Sequence, residues 1–368
     1  MNEEIFYLLG LYHTEGIGPL LGRKLLTHFG AAKALFQASA KELKMVEGID
    51  HSRIAFIKKG FDTKVVEKTL QLIEKHKIKV HSLLSDTYPY RLKEISDAPC
   101  VLFSKGNADL NRARPVAIIG SRHNTAQGRQ FTEELVQTLK AHHVFIISGL
   151  AYGIDIIAHR AAIAAGIPTL AVLAHGLDTI YPAAHLKTVD QMLQQDGGII
   201  SEYPPGTVLK KQNFPARNRI VAGMTDATIV IETDIKGGAM ITAKLALNYN
   251  REVFALPGRY NDPRSGGCNY LIKTNIAQLI TQGADIISFM NWEEDLKQKT
   301  TSLQTKLFDT ISTAEQSLLG LISDKENIHI DELQIKSGLS NSGLANLLLQ
   351  LEFMNLIISL PGKRYKLA

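Results

Sequence analysis

Hydrophobic and polar residues alternate with a helical period in residues 1–85. Apolar residues recur there every three or four positions between glycines, which predicts a bundle of short helices. The breaks at 16–19 (Gly-Ile-Gly-Pro) and 47–50 (Glu-Gly-Ile-Asp) are typical of helix-hairpin-helix turns, whose N–H groups can hold a DNA phosphate. A plain helical bundle with glycine in its turns explains the pattern equally well. The predicted helices are 3–13, 20–29, 31–37, 40–45, 51–59 and 63–76.

The period changes after residue 85. Residues 86–108 resemble a connecting arm with one short strand near 101–103, and short apolar runs then alternate with helical stretches. This alternation predicts a parallel sheet covered by helices, in which ligands bind beyond the carboxyl ends of the strands. The predicted strands are 116–119, 144–147, 169–173, 198–201, 228–231 and 253–256, and the predicted helices begin near Thr125, Gly153, Ala183, Asn218, Ala239 and Asn269.

The last part of the chain predicts a linker and a winged helix. Residues 291–308 are polar, and 309–368 then show helix, turn, helix (330–340), an apolar helix (342–354) and a hairpin (356–366). No Lys or Arg occurs from 337 to 362, although a helix in the major groove normally needs cations. We therefore predict that this winged helix contacts protein or regulates the core rather than reading duplex DNA.

Composition narrows the class of protein. The chain has 368 residues, 45% of them hydrophobic and 21% charged, which predicts two or three globular domains. Its start lacks the pattern of a signal peptide, and no apolar run is long enough to span a bilayer. Cys100 and Cys268 provide neither a disulfide framework nor a zinc spacing. These features predict a cytoplasmic protein without a membrane segment.

Positive charge is unevenly distributed. The net charge is +5, a mild bias that does not identify a partner. Lys and Arg outnumber Asp and Glu in 1–85 and 110–290, whereas 291–368 is slightly acidic. A polyanion is therefore expected to prefer the first two segments.

The first strand of the alternating part ends in Gly120-Ser121-Arg122. Gly120 permits a tight turn, Ser121 offers a hydroxyl group, and the planar fork of Arg122 suits a phosphate. The free N–H groups of the helix that begins near Thr125 are expected to point to the same place. A helix cap and a surface arginine are the structural alternative, but the position after the first strand favours a phosphate site.

A second cluster follows the prolines at 204 and 205, in a segment predicted to be a loop up to about Asn218. It combines cations that can hold phosphates, a ring that can stack on an unpaired base, and an amide. Alternatively, the ring packs in the core and the arginines form ion pairs. Arg219 is therefore a weaker candidate than Lys211 and Phe214. The candidates are Lys211, Phe214, Arg217, Asn218 and Arg219.

A third segment, Gly237 and Gly238, follows a strand and opens a helix that carries Lys244. These glycines allow either a close approach to a ligand or simply a tight turn. The sequence contains no P-loop, no dinucleotide fingerprint after the first strand, no His-Glu-x-x-His and no nucleophile elbow. Asp155 and His159 lie one helical turn apart, but such a pair is weak evidence for a metal. We expect a binding protein without catalytic or metal-binding residues.

The motifs together resemble the DprA (Smf) family of DNA-processing proteins of natural transformation. The resemblance covers about residues 86–290, and Met240 and Cys268 replace the Leu and Ser that are common in the family. The motifs are Ile-Gly-Ser-Arg at 119–122, Ser-Gly-Leu-Ala-Tyr-Gly-Ile-Asp at 148–155, Phe-Pro-Ala-Arg-Asn-Arg-Ile at 214–220, Gly-Gly-Ala-Met-Ile-Thr-Ala at 237–243, Val-Phe-Ala-Leu-Pro-Gly at 253–258 and Gly-Cys-Asn-Tyr-Leu-Ile at 267–272.

This resemblance implies an α/β fold with an extended, doubly wound Rossmann-like core at 86–290. A SAM-like or helix-hairpin-helix domain at 1–85 would precede it, and a linker (291–308) and a winged helix (309–368) would follow. The resemblance also implies a homodimer through the core, no nucleotide cofactor, and a protein that protects incoming single-stranded DNA and loads the RecA recombinase. Its DNA pocket would include Ser121 and Arg122, with Lys211, Phe214 and Arg217 around it.

Two other functions compete with this one. The core is also similar to Rossmann-like nucleotide phosphoribohydrolases, which use an acidic residue after a Gly-Gly-x-Gly-Thr turn. An approximate alignment places Lys244 there, so the required carboxylate is missing. A duplex-binding regulator that acts through the winged helix is disfavoured by the lack of cations in its candidate recognition helix.

Overall fold

The computed structural model describes residues 3–292, 312–325 and 327–368. Its first part is a bundle of six helices, as predicted. Side-chain caps define several helix starts; Ser39, Asp50 and Asp62 each accept a hydrogen bond from a backbone N–H of the first turn. The helices are α1 (Glu3–Tyr12), α2 (Pro19–Phe29), α3 (Ala32–Gln37), α4 (Ala40–Lys44), α5 (His51–Lys59) and α6 (Thr63–Lys75).

A nine-stranded sheet forms the centre of the molecule, in the order β1-β2-β6-β5-β4-β3-β7-β8-β9. Strands β3 to β9 pair in parallel, and β1 and β2 add an antiparallel edge. Strand β1 falls within 1–85, so this range contributes to the sheet. The strands are β1 (Lys79–Ser82), β2 (Val101–Gly106), β3 (Pro115–Ile119), β4 (Phe145–Ser148), β5 (Thr169–Val172), β6 (Gly198–Ser201), β7 (Ala227–Val230), β8 (Glu252–Ala255) and β9 (Gln278–Leu279).

Helices cover both faces of this sheet. Along β3, Val116 and Ile118 pack with the helices of one face, and Ala117 and Ile119 with those of the other. This arrangement confirms the doubly wound α/β fold. The helices are α7 (Tyr90–Lys93), α8 (Ala126–Leu139), α9 (Ile154–Ala165), α10 (Leu186–Gln194), α11 (Asn213–Gly223), α12 (Gly238–Asn248), α13 (Pro263–Lys273) and α14 (Gly283–Phe289).

Two helix starts differ from the prediction. Helix α11 begins at Asn213 rather than near Asn218, and α13 begins at Pro263 rather than near Asn269. Pro263 stands in the first turn of α13, where the missing N–H costs nothing, and Asp262 accepts a hydrogen bond from the N–H of Arg264. Pro215 likewise stands in the first turn of α11, within the segment that the sequence predicted to be a loop up to about Asn218.

The C-terminal part is a winged helix, as predicted. Its hydrophobic core is separate from that of the sheet and includes Leu333, Leu348 and Ile357. The predicted linker lies outside the described residues except for Asn291 and Trp292, and Trp292 is buried against the sheet core. The elements are α15 (Thr313–Ser323), β10 (Ile328–His329), α16 (Ile330–Ser337), α17 (Asn341–Phe353), β11 (Ile357–Leu360) and β12 (Arg364–Leu367).

Ion pairs join this winged helix to the amino-terminal end of the parallel strands. The carboxylate of Glu94 binds Arg364 of β12 and, 2.9 Å away, the buried Arg251 that precedes β8. The guanidinium of Arg364 also lies 4.5 Å from the centre of the Tyr90 ring. The wing is therefore far from the carboxyl ends of the strands.

The pair between Arg91 and Asp226 is a stability test of this end of the sheet. The two side chains are nearly buried and joined by hydrogen bonds of 2.6 and 2.9 Å. Because Arg91→Ala leaves a buried carboxylate unpaired, we expect the free energy of unfolding to fall by about 3–5 kcal/mol. Urea denaturation followed by the fluorescence of Trp292, the single tryptophan of the sequence, measures this loss.

The control for this prediction is Lys24→Ala. Lys24 and Glu47 form an exposed pair, so its removal is expected to change the free energy of unfolding by less than about 1 kcal/mol. An equal loss of unfolding free energy in the two variants would show that the buried pair of Arg91 stabilises the fold no more than an exposed pair does.

Candidate nucleic-acid interface

The strand order reverses at β3, which has β4 on one side and β7 on the other. Such a reversal opens a crevice beyond the carboxyl ends of the strands. The connections after β3 and β7 meet in it, because the N–H of Ser121 donates to the carbonyl oxygen of Glu232 at 2.7 Å. Gly153 follows β4 with a positive φ of 78°, and a Cβ there would clash with the backbone of Ser121 and Arg122. The turn after β3 is therefore held on two sides.

Arg122 and Phe214 lie side by side at this edge. The guanidinium carbon of Arg122 is 5.4 Å from the centre of the Phe214 ring. Arg122 is exposed and Phe214 is half-buried. The two residues are far apart in the sequence, since Arg122 follows β3 and Phe214 follows β6. The fold therefore places an exposed cation against an aromatic ring, as cation–π pairs require.

A carboxylate already occupies part of the helix start near Thr125, where the sequence predicted free N–H groups. Glu232 accepts hydrogen bonds from the N–H of Thr125, at 2.8 Å, and from its hydroxyl group, and the Thr125 hydroxyl accepts from Gly128 N–H. The buried Glu232 carboxylate therefore occupies the place where a Rossmann fold usually binds a pyrophosphate. A phosphate at this edge would need exposed cations such as Arg122 and Lys211.

Lys211 and Phe214 lie at the start of α11 rather than in a long loop. Lys211 is exposed in the turn before the helix, and Phe214 is in the first helical turn. Pro215 also belongs to this turn, where N–H groups have no partner within the helix. The ring is therefore carried by a helix, and its position is fixed more firmly than a loop would allow.

Arg217 and Arg219 are buried, so their assignment to the DNA surface is revised. Arg217 is only 5% exposed and donates to the carbonyl oxygens of Gly149, at 2.6 Å, and Val172. Burial lowers the pKa of Arg217 to about 10, although nearby Asp155 opposes this change. Arg219 is 9% exposed and forms an ion pair with Glu202. Both guanidinium groups stabilise the core.

Asp155 and His159 also have structural roles. The Asp155 carboxylate accepts from the N–H groups of Gly149 and Ala151, at 3.2 and 3.3 Å, and orders the connection after β4. His159 shares a hydrogen bond of 2.7 Å with Thr169, and burial lowers the pKa of His159 to about 3. Within the described ranges, no group of three or more His, Cys, Asp or Glu side chains could hold a metal ion.

The remaining candidates lie around this edge with different environments. Asn218 is half-buried in α11, and Lys244 is exposed on α12. A Cβ on Gly237 would clash with the Thr233 side chain, so this glycine allows a tight turn, whereas Gly238 has open space beside it. Gly120 packs against Ile154 in the same way as Gly237 packs against Thr233.

Sequence analysis missed Tyr181. Its ring centre is 6.2 Å from that of Phe214, and its side chain is 50% exposed. Tyr181 belongs to the connection after β5, and the available signal was its position at the same edge of the sheet.

No helix of the described residues is both long and apolar enough to cross a membrane.

Comparisons with known proteins assign the family. The model of the family described as DNA recombination-mediator protein A matches residues 79–291, and the DprA winged helix domain matches residues 302–363. The DNA processing protein DprA of Streptococcus pneumoniae is 44% identical over 56% of this chain and 72% of the relative. Protein Smf of Synechocystis is 31% identical over 99% of both chains.

Solved structures agree. The X-ray structure of DprA from Streptococcus pneumoniae has a TM-score of 0.67 and 34% identity, and the match covers 78% of this chain and 98% of that one. A structure of DNA processing protein A from Helicobacter pylori, described for its single-stranded DNA binding mode, has a TM-score of 0.53 and 33% identity over 58% and 96% of the two chains. This chain therefore belongs to the DprA/Smf family of DNA-processing proteins.

Proposed function

We propose that this chain binds single-stranded DNA at the carboxyl edge of its sheet. The observation that carries this proposal is the contact of Arg122 with Phe214, which presents a cation and a ring together. The description of the Helicobacter pylori relative as a single-stranded DNA binder supports it. The chain acts by binding, without a catalytic step.

The mechanism follows from the chemistry of an unpaired strand. Arg122 and the exposed Lys211 neutralise phosphates, and a base stacks on Phe214 with a contribution of about 1–3 kcal/mol. The bases of a duplex are stacked on each other and have no free face, so single strands bind more tightly. The affinity is expected to fall as the salt concentration rises. For each phosphate that is neutralised, its logarithm falls by about 0.7 for each log unit of salt concentration.

The proposal extends to two further roles, the protection of incoming strands and the loading of the RecA recombinase. The protein would act in the cytoplasm.

We also propose that the protein acts as a homodimer. The outer strand β9 and the neighbouring helices expose apolar side chains, Ile241, Tyr270 and Leu279, at one end of the core. A dimer through this end would bind one strand at two edges and increase the effective concentration of the second.

Replacement of Arg122 tests the binding site. The glutamate of Arg122→Glu would repel phosphates, so we expect this variant to bind a fluorescent dT oligonucleotide at least tenfold more weakly. Because position 122 is exposed, we expect no loss of thermal stability. Fluorescence anisotropy measures the affinity. The matched control is Arg129→Glu, the same change at an exposed position on α8, and equal affinities of the two variants would contradict the assignment.

The dimer is tested by Leu279→Glu. A carboxylate on the exposed side chain of β9 is expected to give monomers at concentrations where the wild type is dimeric, as measured by sedimentation velocity. Leu186→Glu makes the same change on exposed α10, near the other end of the sheet, and is expected to leave the dimer intact. Two dimeric variants would rule out this surface.

RecA loading is tested on a strand already coated by a single-stranded-DNA-binding protein. We expect the wild type to shorten the lag before DNA-dependent ATP hydrolysis by RecA, and Arg122→Glu to leave the lag unchanged because it does not hold the strand. A lag shortened equally by both proteins would show that loading does not pass through this edge.

A further inference from the structure

Tyr181 and Phe214 form a pair of rings at the carboxyl edge of the sheet. Their centres are 6.2 Å apart, and their planes are inclined by 56°. Half of the Tyr181 side chain is exposed, so one ring surface remains available beside Phe214. An exposed ring at this position is not needed for the hydrophobic core.

The connection that carries Tyr181 is fixed on both sides. Asp178 accepts a hydrogen bond of 2.8 Å from the N–H of Gly206 after β6, and His185 shares one of 2.9 Å with the carbonyl oxygen of Leu150 after β4. The side chain of Asn213 donates to the carbonyl oxygen of Ala174 at 3.0 Å, which ties the start of α11 to the same connection. The two rings are therefore held in place before any ligand binds, which reduces the entropy lost on binding.

We propose that Tyr181 forms a second base-stacking subsite, for the nucleotide next to the one on Phe214. This inference rests on the proposed function, because it requires a strand at this edge. Bases on two rings inclined by 56° cannot be parallel, so the strand has to unstack between these nucleotides. The ligand is therefore an unpaired, unstacked strand, and binding depends little on sequence because every base has a face that can stack.

The test compares strands with and without bases. We expect Tyr181→Ala to weaken binding of a dT oligonucleotide about tenfold, and Tyr181→Phe, which keeps the ring, to bind like the wild type. With an oligonucleotide of the same length made of abasic nucleotides, Tyr181→Ala and the wild type should bind equally weakly. The matched control is Tyr260→Ala, which removes an almost fully exposed ring in the connection after β8 and should bind both strands like the wild type.

Each outcome decides the inference. A Tyr181→Ala penalty of equal size on dT and abasic strands would mean that the ring only supports the fold, and no penalty on either strand would mean that no base stacks there. Arg122→Glu separates this inference from the proposed function, because it should weaken both strands through their phosphates. If Arg122→Glu binds both strands normally, the edge is not the DNA site and both proposals fail.

Discussion

The buried guanidinium of Arg217 holds the carboxyl edge of the sheet together. It donates to the carbonyl oxygens of Gly149 and Val172, at the ends of the neighbouring strands β4 and β5. Its pKa of about 10 still leaves it charged at neutral pH, with the carboxylate of Asp155 nearby. Because Arg217 belongs to α11, these bonds also fix the helix whose first turn carries Phe214. Arg217 therefore positions the Phe214 ring from within the core, and its burial keeps it off the surface proposed to bind DNA.

A second constraint explains why this edge differs from that of a dinucleotide-binding fold. At the start of α8, the Glu232 carboxylate from the connection after β7 accepts hydrogen bonds from the N–H and the hydroxyl group of Thr125. A bound pyrophosphate would have to displace this anion and leave it buried without its partners, which is costly. Arg122, an exposed cation of the same edge, lies beyond this helix start and beside the Phe214 ring. The same topology therefore favours an extended polyanion that runs across the edge.

The sequence was sufficient for the fold class, because periodicity depends on which face of each element is buried, but it did not predict the outer strands β1 and β9. The alternating pattern located six strands of the parallel sheet and the six helices of the first part. The shared location of Arg122 and Phe214 was implied by the family resemblance, and the structure brings the two side chains together. Burial of individual cations was not: nothing local distinguishes Arg217, which pairs with carbonyl oxygens, from the exposed Lys211. Tyr181 was missed because its connection after β5 (173–185) contains no Lys or Arg that would mark it as a phosphate site.

The most direct measurement is a salt titration of binding to a labelled dT oligonucleotide in the presence of a duplex competitor. The proposed edge predicts a strong preference for the single strand and an affinity that falls steeply with salt, by about 0.7 log units per log unit for each phosphate held. Equal or tighter binding to the duplex would contradict this account. It would move the DNA contact to the winged helix or to the glycine-containing turns at 16–19 and 47–50.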